Sequence, residues 1–181
     1  MTTKDETAVA TQDAPKEPTK KSQSKPKEEP KKVIIVRQLF INRQDLQQNP
    51  HVVYLFGDNY QRIGFGGQAA EMRGEPNGIG VVTKRNASHG RGSYFSDDKE
   101  EMDDNQKAIF QDFKRAYDLA VFGEKIAVND IRSQFYGGSG VIVVPTDGLG
   151  TGLSQLPQRA PVTLKFINKL IEKLASTGRL A

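Results

Sequence analysis

The sequence predicts an α/β domain over residues 33–181, in which helices cover a sheet, preceded by a disordered N-terminal tail over residues 1–32. Two observations support this prediction. Short β-branched runs alternate along the chain with longer amphipathic segments, which is the pattern of a layered α/β fold. The first 32 residues hold four of the nine prolines and almost no apolar side chains, so they cannot bury enough surface to offset the entropy of ordering.

Four apolar runs and one weaker run predict the strands of the sheet. Each is rich in β-branched or aromatic residues, which favour a pleated and partly buried backbone. The runs cover residues 33–41, 52–56, 78–84 and 141–145, and the weaker run covers residues 125–128.

Start and stop signals predict the helices. Asp97 and Glu100 have the spacing of a capping box and predict the start of a long amphipathic helix that Gly123 ends. Pro161 opens a final amphipathic helix, which Gly178 ends. The remaining predicted elements are a short helix over residues 67–73 and a turn over residues 135–140.

Composition narrows the possible functions. The chain has no cysteine, so it offers neither disulfides nor a thiolate metal site, and His51 and His89 lack the spacing of zinc ligands. We therefore predict no metal and no cofactor. No apolar run approaches the roughly 18 residues of a membrane span, and the N-terminus is polar, so a cytoplasmic protein is expected.

The net charge of +4 is divided between the tail and the domain. Residues 1–32 hold eight lysines and six acids, which gives the tail +2 and leaves +2 for the domain. Mixed charges are typical of a solubilising arm, and a weak contact of the tail with RNA or DNA is the alternative.

Polar loops that contain glycine follow three of the predicted strands. They read GDNYQRIGFGGQ from residue 57, TKRNASHGRGSYF from residue 83 and TDGLGTGLSQL from residue 146. In open α/β sheets, ligands bind beyond the carboxyl ends of the strands. The three loops therefore form one cleft if their strands are parallel neighbours.

The glycine patterns indicate an anion site that differs from the common nucleotide motifs. No loop ends in Gly-Lys-Ser/Thr, and leucine stands where a dinucleotide fingerprint needs its third glycine. Two of the loops could hold phosphates through their backbone N–H groups, the first of them leading into a helix. The loop between them holds cations suited to phosphate, and aromatics suited either to a base or ribose or to seating the loop on the core: Lys84, Arg85, His89, Arg91, Tyr94 and Phe95.

The order of these motifs resembles the macrodomain family. VYLFGDNYQRIGFGGQA is similar to the macrodomain ligand loop. VVTKRNASHGRGSYF and VIVVPTDGLGTGLSQL are similar, in order and spacing, to stretches of the branch that removes terminal ADP-ribose from glutamate. The resemblance covers most of residues 50–175. It implies a three-layer fold with a mixed sheet between helices, and a site for ADP-ribose or a related nucleotide.

The resemblance also implies a set of ligand-binding residues. Asp58 or Asn59 would contact the adenosine or distal ribose side of the ligand. The glycines from residue 64 onward would form one wall of the distal ribose and diphosphate site, and residues 148–152 would grip the diphosphate from the other side. The implied binding residues are Asp58, Asn59, Gly64, Gly66, Gly67, Gln68, Gly148, Gly150, Thr151, Gly152 and Ser154.

Catalytic residues are implied less completely. Lys84 matches the lysine that attacks the ribose C1″ carbon in that branch, and Asp147 lies in the third glycine loop. Ser154 falls where the family has its catalytic aspartate. A serine cannot act as a general base at neutral pH without help, so this departure puts the covalent mechanism in doubt. Lys84 and Asp147 are the candidate catalytic residues.

Three functions remain open from the sequence. The first is binding of ADP-ribose or a related nucleotide, and it is the favoured one. The second is hydrolysis of ADP-ribose from a modified protein or from a free derivative. The third is a non-enzymatic contact with RNA or DNA through the lysine-containing tail and the loop over residues 83–95, here called the basic loop.

Overall fold

The computed structural model describes residues 31–129 and 132–180, so the predicted disorder of the tail concerns residues that lie almost entirely outside the described part. Six strands are formed: β1 (Ile34–Gln38), β2 (Val53–Asn59), β3 (Gly78–Lys84), β4 (Glu124–Asn129), β5 (Arg132–Tyr136) and β6 (Val141–Pro145). Five helices accompany them: α1 (Arg43–Gln48), α2 (Ala69–Met72), α3 (Lys99–Phe122), α4 (Leu156–Arg159) and α5 (Pro161–Thr177). Among the described residues, no helix is both long and apolar enough to cross a bilayer.

The main sheet has four strands in the order β1-β6-β2-β3, and every pair in it is parallel. The expected α/β class is therefore confirmed, while the expected mixed sheet is not found. β4 and β5 form a separate antiparallel hairpin instead of extending the main sheet.

Helices cover both faces of the main sheet. Val53 and Leu55 of β2 pack into the apolar cluster that α3 and α5 complete. Tyr54 and Phe56 point the other way and pack into a smaller cluster with α1 and α2. Because successive side chains of a strand alternate between faces, one buried strand serves both clusters and the protein has three layers.

Three short elements escaped the sequence-based prediction. These are α1, α4 and β5, each only four to six residues long. Phe135 and Tyr136 belong to β5, so the predicted turn over residues 135–140 is shorter than expected. A signal for α1 was present, because Asn42 and Asp45 form a capping box at its first turn.

The predicted capping box of the long helix is wrong. α3 begins after Asp98, and the Asp97 carboxylate instead accepts hydrogen bonds from the Val162 amide at 2.7 Å and from the Thr163 amide and hydroxyl at 3.0 and 2.8 Å. Those groups lie in the first turn of α5, which has Ala160 at its N-cap position and no side-chain cap of its own. The acid therefore caps a helix that lies 65 residues further along the chain.

We expect Asp97→Ala to lower the free energy of unfolding by about 1–2 kcal/mol, because it leaves amides of the first turn of α5 without an acceptor. Urea unfolding followed by circular dichroism measures the change. Asp98→Ala is the matched control, since Asp98 makes no side-chain bond to α3 and is expected to change stability little. Equal losses in the two variants would contradict the cap.

Candidate functional site

Two neighbouring cavities lie at the carboxyl edge of the main sheet. The first, of about 240 Å³, is here called the Lys84 chamber, and the second, of about 360 Å³, the Asp147 chamber. Every binding and catalytic residue implied by the macrodomain resemblance lines one of them: Asp58, Asn59, Gly64 and Lys84 line the first, Gly67, Gln68, Asp147, Gly148, Gly150, Thr151 and Gly152 line the second, and Gly66 and Ser154 line both. A larger depression of about 450 Å³ beside α3 and β4 contains none of the predicted residues.

Glycines allow the loops around these chambers to approach closely. A Cβ atom at Gly57 would lie 3.1 Å from the Thr83 hydroxyl and 3.4 Å from the Gly150 amide nitrogen. Gly150 has a φ of +79°, and a Cβ there would overlap the Leu156 side chain. The end of β2 and the loop after β6 therefore meet at a spacing that excludes side chains at these two positions.

Residues with free backbone N–H groups line both chambers. In the described part of the chain, the amides of residues 64–69 and of residues 149–154 donate no hydrogen bond to another protein group. These two runs belong to the loops after β2 and β6, and all of their residues except Leu149 line the chambers. Successive free amides of this kind can form a concave site for an anion.

The Asp58 carboxylate is already bound by other side chains of the protein. Both of its carboxylate oxygens accept hydrogen bonds from the Arg73 guanidinium, and Arg62 lies 3.5 Å away. The side chain is only 3% exposed, and a Cβ at Gly80 would collide with it. The acid lines the Lys84 chamber, but its charge is already neutralised.

Arg73 was not predicted from the sequence, yet it shapes the site. Its Nε donates to the Gly64 carbonyl at 2.7 Å, and its Nη2 to the Ile63 carbonyl at 3.3 Å. The same guanidinium binds Asp58, so one side chain fastens the glycine loop to the end of β2. No short-range pattern marks this residue, because its partners are 9 to 15 positions away on a loop and a strand.

Asn59 presents an unused acceptor. Its Nδ2 donates to the Ile63 carbonyl at 2.8 Å, while its buried Oδ1 has no hydrogen-bond partner. An unsatisfied buried polar atom costs about 1–3 kcal/mol. Because this atom has almost no accessible surface, a ligand in the Lys84 chamber would reach it only after the Asn59 side chain moves.

Lys84 is a buried cation without a carboxylate partner among the described residues. The residue is 5% exposed, and its Nζ lies 4.6 Å from the centre of the Tyr94 ring. Burial lowers the pKa of Lys84 from its usual value. Arg85, the next residue along the chain, is paired with Glu101.

Of the remaining residues of the basic loop, some pack on the hydrophobic core and others line the Lys84 chamber. Tyr94 and Phe95 are 6% and 1% exposed, so they seat the loop on the core. Ala87 and His89 line the Lys84 chamber, and Arg91 is exposed. The loop is therefore a wall of the chamber.

Ser154 and Asp147 occupy different environments. The Ser154 hydroxyl lies 2.7 Å from the Thr83 hydroxyl, which donates to the Asp58 carbonyl at 3.2 Å. Asp147 is exposed and lines only the Asp147 chamber, so the two candidate catalytic residues do not share a chamber. No group of acids and histidines in the described residues has the geometry of a metal site.

A family model described as "Family of unknown function (DUF7831)" matches residues 36–170, which is most of the chain, so the chain belongs to this family. The matched segment includes both chambers. No curated protein matches the chain, and no solved structure does.

Proposed function

We propose that this member of the DUF7831 family is a macrodomain-like protein that binds ADP-ribose or a related nucleotide in the two joined chambers. The observation that carries the proposal is the pair of free amide runs, residues 64–69 and 149–154, in the two loops that line the chambers. A diphosphate is an anion with many acceptor oxygens, and it could use donors of both loops at once.

Side chains of the Lys84 chamber complement the rest of such a ligand. Lys84 supplies a positive charge that no carboxylate of the described residues neutralises. The free Oδ1 of Asn59 would accept a hydrogen bond from a ribose hydroxyl once the Asn59 side chain turns toward the chamber. Hydrogen bonds to charged groups are the stronger ones, so the lysine is expected to contribute most.

Hydrolysis is the second candidate, and one observation favours it. Burial lowers the pKa of Lys84, which increases the share of the nucleophilic neutral amine. Against it, the Asp58 carboxylate in the same chamber is held by arginines and Asp147 lies in the other chamber, so neither acid is free to move a proton for Lys84. Binding without turnover is therefore the function we propose.

Calorimetry on the full chain tests the ligand class. ADP-ribose is expected to bind, and AMP is expected to bind more weakly because it lacks the diphosphate. The affinity for NAD measures whether the site accepts a group attached to the distal ribose. Short RNA should not compete for the chambers, since Lys84 is buried and Arg85 is already paired. Binding of short RNA together with no heat from ADP-ribose would overturn the proposal.

Gly152→Val is expected to weaken ADP-ribose binding at least about tenfold, or about 1.4 kcal/mol, while leaving stability nearly unchanged. A Cβ at Gly152 meets no atom within 4 Å, and the residue lines the Asp147 chamber, so the new side chain would enter space meant for ligand. Gly67 is less suitable, because its φ of +57° would strain a valine.

Gly92→Val is the matched control for this test. A Cβ at Gly92 also meets no atom within 4 Å, and the residue lines neither chamber. The Gly92→Val protein should bind ADP-ribose with the affinity of the wild type. Unchanged affinity in a folded Gly152→Val protein would remove the loop after β6 from the site.

A further inference from the structure

Three lysines form a row along the outer face of α5. Lys165, Lys169 and Lys173 follow one another at four-residue spacing, and all three are exposed. Residues four apart on a helix lie on one side, about 6 Å apart along the axis. The opposite side of α5 is buried in the core through Ile167, Leu170, Ile171 and Leu174.

The row of positive charge continues beyond the helix. The Val33 amide donates to the Gly178 carbonyl at 2.9 Å, which places exposed Lys32 and Arg179 at the C-terminal end of α5. Exposed Arg37 lies in β1 two residues after Ile35, which packs against the core that α5 completes, so Arg37 shares the strand face of Ile35. We call this surface the basic face: Arg37, Lys165, Lys169, Lys173, Arg179 and Lys32.

The charges of the basic face are not neutralised within the protein. None of its six side chains forms an ion pair with a described carboxylate. Glu172 is the only acid of α5. On α3, by contrast, Lys107 pairs with Asp104 and Lys114 pairs with Asp118, and acids outnumber bases.

Charge complementarity and side-chain chemistry select the partner. A regular row of unpaired cations fits a polyanion with evenly spaced phosphates. The exposed residues between the lysines are polar, namely Asn168, Glu172 and Ser176. Val162 is the one large apolar side chain that α5 exposes, which is too little for the helix to enter a membrane surface. α5 exposes no aromatic side chain on which an unpaired base could stack.

We propose that the basic face binds the phosphate backbone of a nucleic-acid duplex without reading its sequence. This surface is separate from the two chambers and from the basic loop, and Lys32 is the only residue of the N-terminal tail that belongs to it. Residues 1–30 contribute six lysines against six acids, so their formal charges cancel. Backbone contacts of this kind position a protein on nucleic acid and carry no sequence information.

Fluorescence anisotropy of the full chain with a labelled 20-base-pair duplex tests the proposal. Binding should weaken steeply as salt rises, because each contacted phosphate contributes about −0.9 to the slope of log K against log salt. Replacing Lys165, Lys169 and Lys173 together by glutamine should weaken binding at least tenfold at low salt. The same replacement should also make the slope of log K against log salt less steep by about two to three.

A matched variant removes the same charge elsewhere. Lys99, Lys107 and Lys114 on α3, replaced together by glutamine, change the net charge equally and should leave most of the affinity. Equal losses in the two triple variants would overturn the proposal, as would the absence of duplex binding at low salt. Binding to phosphatidylserine vesicles without duplex binding would assign the face to a membrane instead.

The test is independent of the nucleotide proposal. The α5 triple variant should bind ADP-ribose as the wild type does, because none of its substitutions lines either chamber. A loss of duplex binding with unchanged ADP-ribose binding supports the basic face alone.

Discussion

Replacing Arg73 by methionine is expected to lower the free energy of unfolding by about 3–5 kcal/mol, which is the usual result of removing one partner of a buried ion pair. Asp58 would keep a charge on a side chain that is only 3% exposed. Arg62 would remain as a partner 3.5 Å away, but its own side chain is 41% exposed. Methionine keeps an unbranched apolar side chain and removes the guanidinium, which also lies over the Phe56 ring.

Urea unfolding of the full chain measures this effect, and a surface pair supplies the control. Lys114→Met removes a cation from the exposed pair with Asp118 and should cost less than about 1 kcal/mol. Adding Asp58→Asn to Arg73→Met should restore part of the stability, because the unpaired charge is then gone. A loss below 1 kcal/mol in Arg73→Met would show that the pair does not hold the loop.

Lys84→Met is expected to weaken ADP-ribose binding by about 1.5–3 kcal/mol, the range for a hydrogen bond to a charged group. The same change should not destabilise the fold, since it removes a charge whose burial is unfavourable. Calorimetry and urea unfolding on one preparation measure both quantities. Lys107→Met, at an exposed position on α3, should change neither.

The pH dependence of stability separates Lys84 from an ordinary lysine. Burial lowers its pKa in the folded protein, so the unfolded chain holds the proton more tightly. The stability contributed by this residue therefore rises as pH increases through the lowered folded pKa toward the unfolded value near 10.5. Lys84→Met should lack that rise in alkaline buffer, and an identical profile would refute the assigned burial effect.

A covalent test decides between binder and enzyme. Wild-type protein mixed with ADP-ribose and cyanoborohydride should give no stable adduct by intact mass, because no carboxylate beside Lys84 assists proton transfer. An adduct one ADP-ribose heavier, absent in Lys84→Met, would make this lysine a nucleophile.

The meeting of the glycine loops could be predicted because it depends on local signals. The strands before Gly57 and Thr146 are continuous apolar runs, which are typical of a buried parallel sheet, and parallel strands bring their carboxyl ends to one edge. The loops themselves are marked by glycines at positions with positive φ, such as Gly64 and Gly148.

The long-range hydrogen bonds of the fold and of the site could not be predicted, because the bonded residues are distant in sequence. The bond of Asp97 to α5 spans 65 residues, and a capping box at its own helix was the nearer explanation. The pairing of Arg73 with Asp58 follows no helical or strand spacing. β5 was missed because its sequence, RSQFY, carries no apolar alternation and its strand is exposed over four of five residues.

The position of β1 in the sheet determines when the fold can close. Ile34 pairs with Val141, so β1, the first of the described strands, must wait for β6, which lies 107 residues later. Contacts between residues so far apart in sequence slow folding. The chain loses entropy when the long loop closes, and the stabilising contacts between the strands form only afterwards. Until β6 arrives, the run Val33–Val36 stays without its partner during synthesis, and a growing chain is exposed to aggregation through that segment.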